Sequence, residues 1–208
     1  MKVHTKETQA TLTPERAIMI LKEGNARFQN NLKANRNLLQ QVNETKDGQF
    51  PFATILSCID SRVSAELVFD QGLGDIFSIR IAGNFVDKDI LGSMEYACKL
   101  VRSKLIVVLG HTSCGAIKGA CDHVRLGNLT TLIHKIEPAV EAVLEPKEET
   151  LRNSNNLEFV NAVSTMNVKM ALQQIREKSP ILKDLEQQGE IAIVGAMYDV
   201  SDGKVSFH

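Results

Sequence analysis

Short apolar runs constrain the fold of this chain more than any other feature of its sequence. Residues 52–57 (FATILS) and 105–109 (LIVVL) carry few polar side chains and do not alternate apolar with polar positions. Such runs are typical of parallel strands that are buried on both faces. Segments with helical periodicity separate them, so the pattern predicts an α/β fold with a mostly parallel sheet and helices on both faces.

The predicted elements alternate along the chain. We expect about four parallel strands, at residues 52–57, 76–81, 105–109 and 190–198. Helices are predicted at residues 14–31, 64–70, 90–101, 129–144, 157–178 and 180–188, and a loop at 145–156. Asn128 is the expected N-cap of the fourth helix, and Pro138 should kink it. Asp202-Gly203 lies between two strand-like segments and predicts a hairpin that closes the sheet with an antiparallel C-terminal edge strand.

The amino-terminal region is more polar than the rest of the chain. Residues 1–12 are expected to form a loose arm, and residues 33–48 a short exposed helix. We predict a single domain over residues 1–208. Within it, the helical arm of residues 1–47 is predicted to pack on a partner subunit, because it has few apolar residues to bury on its own chain.

The charge balance excludes several classes of partner. The chain has 24 Lys and Arg residues against 25 Asp and Glu residues, so it lacks the basic surface expected of a protein that binds nucleic acid or a membrane. No apolar run approaches the roughly 18 residues of a membrane span, and the first residues lack the apolar stretch of a signal peptide. Four cysteines are too few for a disulfide framework. They predict a reducing compartment, the cytoplasm, or the periplasm if a signal peptide has been removed.

Sulfur and imidazole side chains follow two of the predicted strands. Cys58 comes directly after the first strand, and His111 and Cys114 come just after the third. Because ligands bind at the carboxyl ends of the strands in an open parallel sheet, the three side chains converge if these strands are neighbours. Two thiolates and one imidazole form a zinc-binding set with an open fourth position, whereas magnesium and calcium prefer oxygen ligands.

The same residues allow other interpretations. A cysteine at the end of a buried strand is often a small core residue, and a cysteine near a histidine can be a nucleophile with its base. Cys98 and Cys121 lack such neighbours and are assigned to packing. Asp60 and Arg62 could form a pair in which the arginine holds the carboxylate with two hydrogen bonds and orients it toward a metal-bound water. They could also form a surface ion pair of little energetic value.

The motifs CIDSR at residues 58–62 and GHTSCGA at residues 110–116 closely resemble those of the β-class carbonic anhydrases. The resemblance continues through GDIF at 74–77, RIAGN at 80–84, EYA at 95–97 and GAMYD at 195–199, and it covers the chain from about residue 48 onward. It implies the α/β fold of that family and the reversible hydration of carbon dioxide to bicarbonate and a proton.

The resemblance implies a role for each candidate residue at the strand ends. Cys58, His111 and Cys114 look like the family's ligands to one Zn2+ per subunit. Asp60 and Arg62 look like its aspartate–arginine dyad. In the family, zinc-bound hydroxide attacks CO2, and the aspartate either orients that hydroxide or moves in as a fourth ligand, depending on subtype and pH.

Three further positions match the plant-like subtype, whose zinc site is open. Gln49 falls where that group has a substrate-binding glutamine, and Phe77 and Tyr96 fall where it has active-site aromatic residues. In that group the glutamine and the tyrosine reach the site across a dimer interface, which implies a homodimer or a higher homo-oligomer. The chain contains no Trp, unlike the bicarbonate-regulated subtype. Leu100 stands where plant members have a histidine proposed to assist proton transfer.

Competing functions share parts of this pattern. The same zinc hydroxide could hydrolyse carbonyl sulfide or carbon disulfide. A non-enzymatic zinc or redox-sensing protein could hold the cysteines structurally, but a closed site needs a fourth ligand, for which Asp60 is the nearby candidate. A cysteine-dependent phosphatase is excluded, because its loop requires an arginine where this chain has Ser64.

Overall fold

A central sheet organises the structure, a computed structural model that describes residues 3–208. Its strands are β1 (Ala53–Ser57), β2 (Ile76–Arg80), β3 (Leu105–His111), β4 (Ala192–Tyr198) and β5 (Val205–Phe207). They lie in the order β2-β1-β3-β4-β5, and every pairing is parallel except that between β4 and β5. The predicted α/β fold is therefore confirmed, with four parallel strands and an antiparallel C-terminal edge strand.

Helices cover both faces of the sheet. They are α1 (Lys6–Ala10), α2 (Pro14–Gln29), α3 (Leu38–Thr45), α4 (Ala65–Val68), α5 (Lys88–Glu95), α6 (Gly115–Cys121), α7 (Gly127–Ala142), α8 (Leu157–Lys178) and α9 (Pro180–Gln187). Helix α5 continues into a π-helical turn at Tyr96–Leu100, and a 3-10 turn at Glu149–Leu151 lies within the predicted loop. In the part of the chain that the structure describes, no helix combines the length and apolar character needed to cross a bilayer.

The burial of β3 explains why residues 105–109 are all apolar. Side chains alternate between the two faces along a strand. Leu105, Val107 and Leu109 pack with α2 and α4 on one face. Ile106 and Val108 pack with α5, α8 and α9 on the other face. Both faces of β3 are covered, so a strand in this position needs apolar residues throughout.

The carboxyl ends of β1 and β3 meet at one edge of the sheet. In their parallel register Ser57 pairs with Leu109, so the residues that follow both strands emerge side by side. A third apolar cluster covers this edge and joins Cys58 and Cys114 to side chains of α6, α7 and the first half of α8. The fold therefore places the candidate ligands in a dry environment between the sheet and three helices.

The amino-terminal segment packs on its own chain more closely than predicted. Helix α1 forms within the loose arm expected over residues 1–12, because a capping box starts the helix and Gln9 is buried. The Gln9 amide donates hydrogen bonds to the carbonyls of Pro51 (2.8 Å) and Val101 (2.9 Å). The expectation of a loose arm is therefore wrong for α1; residues 1–2 lie outside the described residues.

Helices α2 and α3 lie in different environments. Ala17 and Leu21 of α2 are fully buried against the sheet of the same chain. Helix α3 is the predicted short exposed helix, and its apolar side chains Leu38, Leu39 and Val42 are exposed. The packing of the amino-terminal arm on a partner subunit stays a prediction.

The start of α7 differs from the expected one. The helix begins at Gly127, so Asn128 lies inside its first turn and is not the N-cap. Instead, Thr130 Oγ1 accepts a hydrogen bond from the backbone N–H of Leu126 (2.9 Å). This bond satisfies the N–H of the N-cap residue Leu126, whereas an asparagine N-cap would have accepted from an N–H inside the first turn. Pro138 lies inside the helix.

Candidate metal centre and active site

Three buried side chains from two strand ends converge on one point. The donor atoms of Cys58, His111 and Cys114 all lie within 4.8 Å of one another. The two sulfurs are 3.9 Å apart, and the three residues are 3%, 0% and 1% exposed, in the order given. The structure thus brings together the three residues that the sequence predicted as metal ligands.

The tautomer of His111 is set by its backbone neighbour. Its Nδ1 lies 2.9 Å from the carbonyl oxygen of Thr112, and a carbonyl can only accept, so Nδ1 carries the proton. The lone pair is therefore on Nε2, which is buried and has no hydrogen-bond partner. Leaving such an atom unsatisfied costs about 1–3 kcal/mol. A metal ion at the centre of the cluster would remove that cost.

The two thiols are arranged so that one ionises readily. The sulfurs of Cys58 and Cys114 are close enough to share a hydrogen bond, and the backbone N–H of Gly83 donates to the Cys58 sulfur, with its nitrogen 3.4 Å away. Hydrogen bonding with Cys114 and with the Gly83 N–H lowers the pKa of Cys58, although burial opposes this shift. The Cys58 sulfur and burial together raise the pKa of Cys114. The site is thus prepared for one negative sulfur, and a divalent cation would ionise the second.

This donor set fits zinc. Zinc–sulfur bonds are about 2.3 Å long, so two thiolates on a tetrahedral zinc ion lie about 3.8 Å apart. The observed separation of 3.9 Å matches that value. Magnesium and calcium require oxygen donors, which the cluster does not supply.

Asp60 and Arg62 form the pair predicted from their spacing. The arginine Nε and a terminal nitrogen donate to the two carboxylate oxygens at 2.9 Å and 2.8 Å, and the Arg62 backbone N–H donates at 3.0 Å. Hydrogen bonding from Arg62 holds the pKa of Asp60 well below its ordinary value. Asp60 Oδ2 also lies 4.0 Å from Nε2 of His111. An ionised, oriented carboxylate therefore stands beside the candidate metal position.

Arg80 supports this loop, a role that was not predicted from the sequence. It is the last residue of β2, and its guanidinium donates hydrogen bonds to the carbonyls of Cys58 (3.1 Å) and Asp60 (2.7 Å). Its position at the end of a parallel strand, the same signal that identified the other site residues, could have indicated it.

Helix α8 contributes three further polar contacts that were not predicted from the sequence. The side chain of Asn161 contacts Ser113, that of Ser164 contacts His111, and that of Asn167 contacts Gly83. The signal available in the sequence was a series of polar residues spaced three apart within the largely apolar first half of a long helix.

Gln49, Phe77 and Tyr96 do not join the metal centre within one chain. The rings of Phe77 and Tyr96 meet edge-on at 6.2 Å, and Tyr96 is 51% exposed. Phe77 pairs with Thr54, and from there to Cys58 the strand runs for about 13 Å at about 3.3 Å per residue. Gln49 is exposed and precedes β1, so it lies toward the amino-terminal ends of the strands. The metal centre lies at their carboxyl ends.

The remaining cysteines are packing residues, as predicted. Cys98 lies in the apolar cluster against α5, α8 and α9, and burial raises its pKa to about 12. Cys121 lies at the end of α6, and mainly burial raises its pKa to about 11. Neither thiol ionises near neutral pH.

Comparison with known proteins places this chain in a family. A family model described as carbonic anhydrase matches residues 53–205. The chain belongs to the carbonic anhydrase family. It is 37% identical over 200 residues to carbonic anhydrase 2 of Mycobacterium tuberculosis, covering 92% of this chain and 91% of that protein. It is 35% identical over 199 residues to the carbonic anhydrase of Mycolicibacterium smegmatis, covering 92% of each chain.

Solved structures identify the β class of this family. A β-carbonic anhydrase of Aspergillus fumigatus superposes with a TM-score of 0.72 at 25% identity, over 93% of this chain and 89% of that chain. One of two tetrameric β-carbonic anhydrases from Sordaria macrospora superposes with a TM-score of 0.67 at 22% identity, over 78% of this chain and 82% of that chain. The resemblance inferred from the two motifs is thereby confirmed.

Proposed function

We propose that the protein catalyses the reversible hydration of CO2 to bicarbonate and a proton, with one zinc ion per subunit held by Cys58, His111 and Cys114. The observation that carries this proposal is the convergence of the three donors around the unpartnered Nε2 of His111, beside a carboxylate fixed by an arginine. Membership of the carbonic anhydrase family supports it.

Zinc, when bound, supplies a Lewis acid that lowers the pKa of a coordinated water, to about 7 in the carbonic anhydrases for which this effect is known. The chain's own residues then direct the water. Asp60 is ionised and held on both oxygens, so it can accept a hydrogen bond from the attacking water and fix the direction of its lone pair. Hydrogen bonding from Arg62 lowers the pKa of Asp60, so the carboxylate stays ionised.

The state of Asp60 favours an open fourth position over a closed structural site. Each carboxylate oxygen accepts a hydrogen bond from the Arg62 side chain, at 2.9 Å and 2.8 Å. Ligation of a metal by Asp60 would require at least one of these bonds to break. A closed site of two cysteines, one histidine and one aspartate is therefore the less favourable arrangement, and a position for water remains.

A second copy of the chain would complete the active site. Phe77 is a residue of the outer strand β2, and its ring contacts that of Tyr96. Strand β2 has no neighbouring strand on its far side within residues 3–208. In a homodimer or larger homo-oligomer, Gln49 and Tyr96 of one subunit would reach the metal centre of the other and bind substrate there. The tetrameric Sordaria macrospora relatives are consistent with this assembly. In the same assembly, the arm of residues 1–47 would pack on the partner, and each chain would contribute one domain.

Zinc content and CO2 hydration, measured together on the purified protein, test the proposed function. We expect about one zinc per chain and a hydration rate that rises between about pH 7 and pH 9, as a coordinated water ionises. Cys58→Ala and His111→Ala should lose both zinc and activity. Cys98→Ala is the matched control, because it removes a buried thiol in the apolar cluster against α5, α8 and α9, away from the three donors, and should retain both. Full activity in zinc-free protein would contradict the proposal.

A further inference from the structure

Three polar side chains on one face of α8 each contact a different backbone segment of the metal centre. Asn161 Oδ1 accepts a hydrogen bond from the backbone N–H of Ser113 (2.9 Å). Ser164 Oγ donates to the carbonyl of His111 (2.9 Å), and Asn167 Nδ2 donates to the carbonyl of Gly83 (2.8 Å). Residues three apart on a helix are neighbours on its surface, so these side chains form a continuous polar stripe.

Burial makes this stripe costly unless it has a specific purpose. Ser164 is 1% exposed and Asn167 is 5% exposed, and both lie among apolar residues of α8 that pack on the sheet. Their hydrogen bonds to the carbonyls of His111 and Gly83 offset that cost, and an alanine at either position would remove the donor from one of these carbonyls. We infer that Asn161, Ser164 and Asn167 are positioning residues that fix the zinc ligands, an inference that rests on the proposed zinc site.

The contact of Asn161 supports the turn between His111 and Cys114. Ser113 has φ +54°, a left-handed conformation that is unusual for a residue other than glycine. This conformation reverses the chain after β3 and returns Cys114 to the side of His111. The hydrogen bond from Ser113 N–H to Asn161 favours that turn, so it keeps two ligands at the separation a metal needs.

The contact of Asn167 acts on Cys58 through Gly83. The Asn167 amide holds the Gly83 carbonyl, and the N–H of the same glycine donates to the Cys58 sulfur at 3.4 Å. A hydrogen bond to a thiolate orients it and moderates the charge that it donates to a metal. Asn167 therefore influences both the direction of the Cys58 sulfur and its strength as a ligand.

Metal binding provides a test that does not depend on catalysis. Asn167→Ala and Ser164→Ala should bind zinc about ten-fold more weakly than the wild type in competition with a chelator. In the cobalt-substituted proteins, Asn167→Ala should also shift the sulfur-to-cobalt charge-transfer band. Asn161→Ala should weaken zinc binding similarly, whereas Asn161→Asp keeps an acceptor oxygen for Ser113 and should restore it.

Ile175→Val is the matched control, because it trims a fully buried side chain on the same helix in an apolar cluster away from the ligands. It should lower the melting temperature and leave zinc affinity and the cobalt spectrum unchanged. Wild-type affinity and spectra in the alanine variants, with a lower melting temperature alone, would overturn the inference. If the wild-type protein binds zinc but does not hydrate CO2, the proposed function is overturned. The zinc affinities of the alanine variants would then still decide this inference. A wild type that binds neither zinc nor cobalt would overturn both.

Discussion

Arg62 holds both carboxylate oxygens of Asp60, with its Nε 2.9 Å from Oδ1 and a terminal nitrogen 2.8 Å from Oδ2. This geometry turns Oδ2 toward His111, whose Nε2 is 4.0 Å away. Because Arg62 is half exposed, the pair adds little to the stability of the fold. What the pair does is hold an ionised carboxylate in a fixed orientation beside the candidate metal position.

Asp60→Asn should keep the metal and lose most of the activity. The amide has nearly the same shape but is a weaker acceptor and can no longer hold an arginine as an ion pair, so the attacking water loses its orientation. We expect a fall of about 100-fold in the rate of CO2 hydration with zinc content unchanged. Asp184→Asn, on the exposed side of α9, is the control and should have no effect. Loss of zinc from Asp60→Asn would show that the carboxylate is a ligand.

Gly83→Ala should disturb the metal centre through the backbone N–H that donates to the Cys58 sulfur. Gly83 has φ +76°, and a Cβ there would clash with Cδ1 of Ile136 and lie 3.3 Å from Cβ of Ala116. Relief of that contact must move either the turn whose N–H binds Cys58 or the core of α7. We expect a loss of about 1–3 kcal/mol in the free energy of unfolding and weaker zinc binding, measured by denaturant titration and chelator competition.

Gly92→Ala is the matched control for that substitution. A Cβ at Gly92 would meet no atom within 4 Å, and the residue lies inside α5. Replacement of a helical glycine by alanine should therefore raise the free energy of unfolding, by up to about 1 kcal/mol. A Gly83→Ala protein as stable and as tightly metal-bound as the wild type would show that the turn can move without disturbing Cys58.

The sequence could predict the candidate ligands because their signals are local. Cys58, His111 and Cys114 each follow an apolar run, and parallel strands bring such ends to one edge whatever the details of packing. Arg80 and Asn167 could not be identified in this way. The role of Arg80 depends on the register of β2 against β1, and that of Asn167 on which face of α8 meets the sheet edge. Neither the register nor the helix orientation can be read from one short segment of the sequence.

The same reasoning explains the error at the amino terminus. Helix α1 is too short to show apolar periodicity, and its position depends on Gln9 bonding to the carbonyls of Pro51 and Val101, which are distant in the chain. The long helix α8 was predicted closely. Its periodicity extends over many turns, and Asn156 caps its start. Errors of this kind arise where tertiary hydrogen bonds outweigh local signals.

Subunit mixing tests whether Gln49 serves the metal centre of a partner. Cys58→Ala lacks a metal ligand, and Gln49→Ala lacks the proposed substrate contact, so each variant alone should have little activity. In a mixed dimer, the intact metal site of the Gln49→Ala chain would receive Gln49 from the Cys58→Ala chain. We expect co-refolded protein to recover about a quarter of the wild-type rate, because about half of random dimers are mixed and each has one intact site.

A pair of variants that shares one site provides the control. Cys58→Ala mixed with His111→Ala leaves every metal site without a ligand, so it should recover nothing. Co-purification of differently tagged chains would demonstrate that mixed oligomers form. If the first mixture then recovers no activity, Gln49 acts within its own chain or has no role in the reaction.

A buried carboxylate outside the active site ties the amino-terminal arm to α4. Asp70 is 7% exposed and accepts hydrogen bonds from Arg27, from Arg36 (2.6 Å) and from the backbone N–H of Ala34 (3.0 Å). Burial alone would raise the pKa of Asp70, but these donors outweigh it and hold the pKa below its ordinary value. The ionised form of Asp70 therefore stabilises the native state.

Asp70→Asn should destabilise the protein in a pH-dependent way. A group whose pKa is lowered by folding contributes stability above its unfolded pKa, about 4 for aspartate, and loses that contribution as the pH falls through the folded value. We expect a loss of about 3 kcal/mol in the free energy of unfolding near neutral pH, shrinking progressively below about pH 4. Glu23→Gln breaks an exposed pair with Arg16 and should cost less than about 1 kcal/mol. A deficit for Asp70→Asn that stays constant as the protein is acidified, measured by denaturant titration, would contradict the role assigned to the ionised carboxylate.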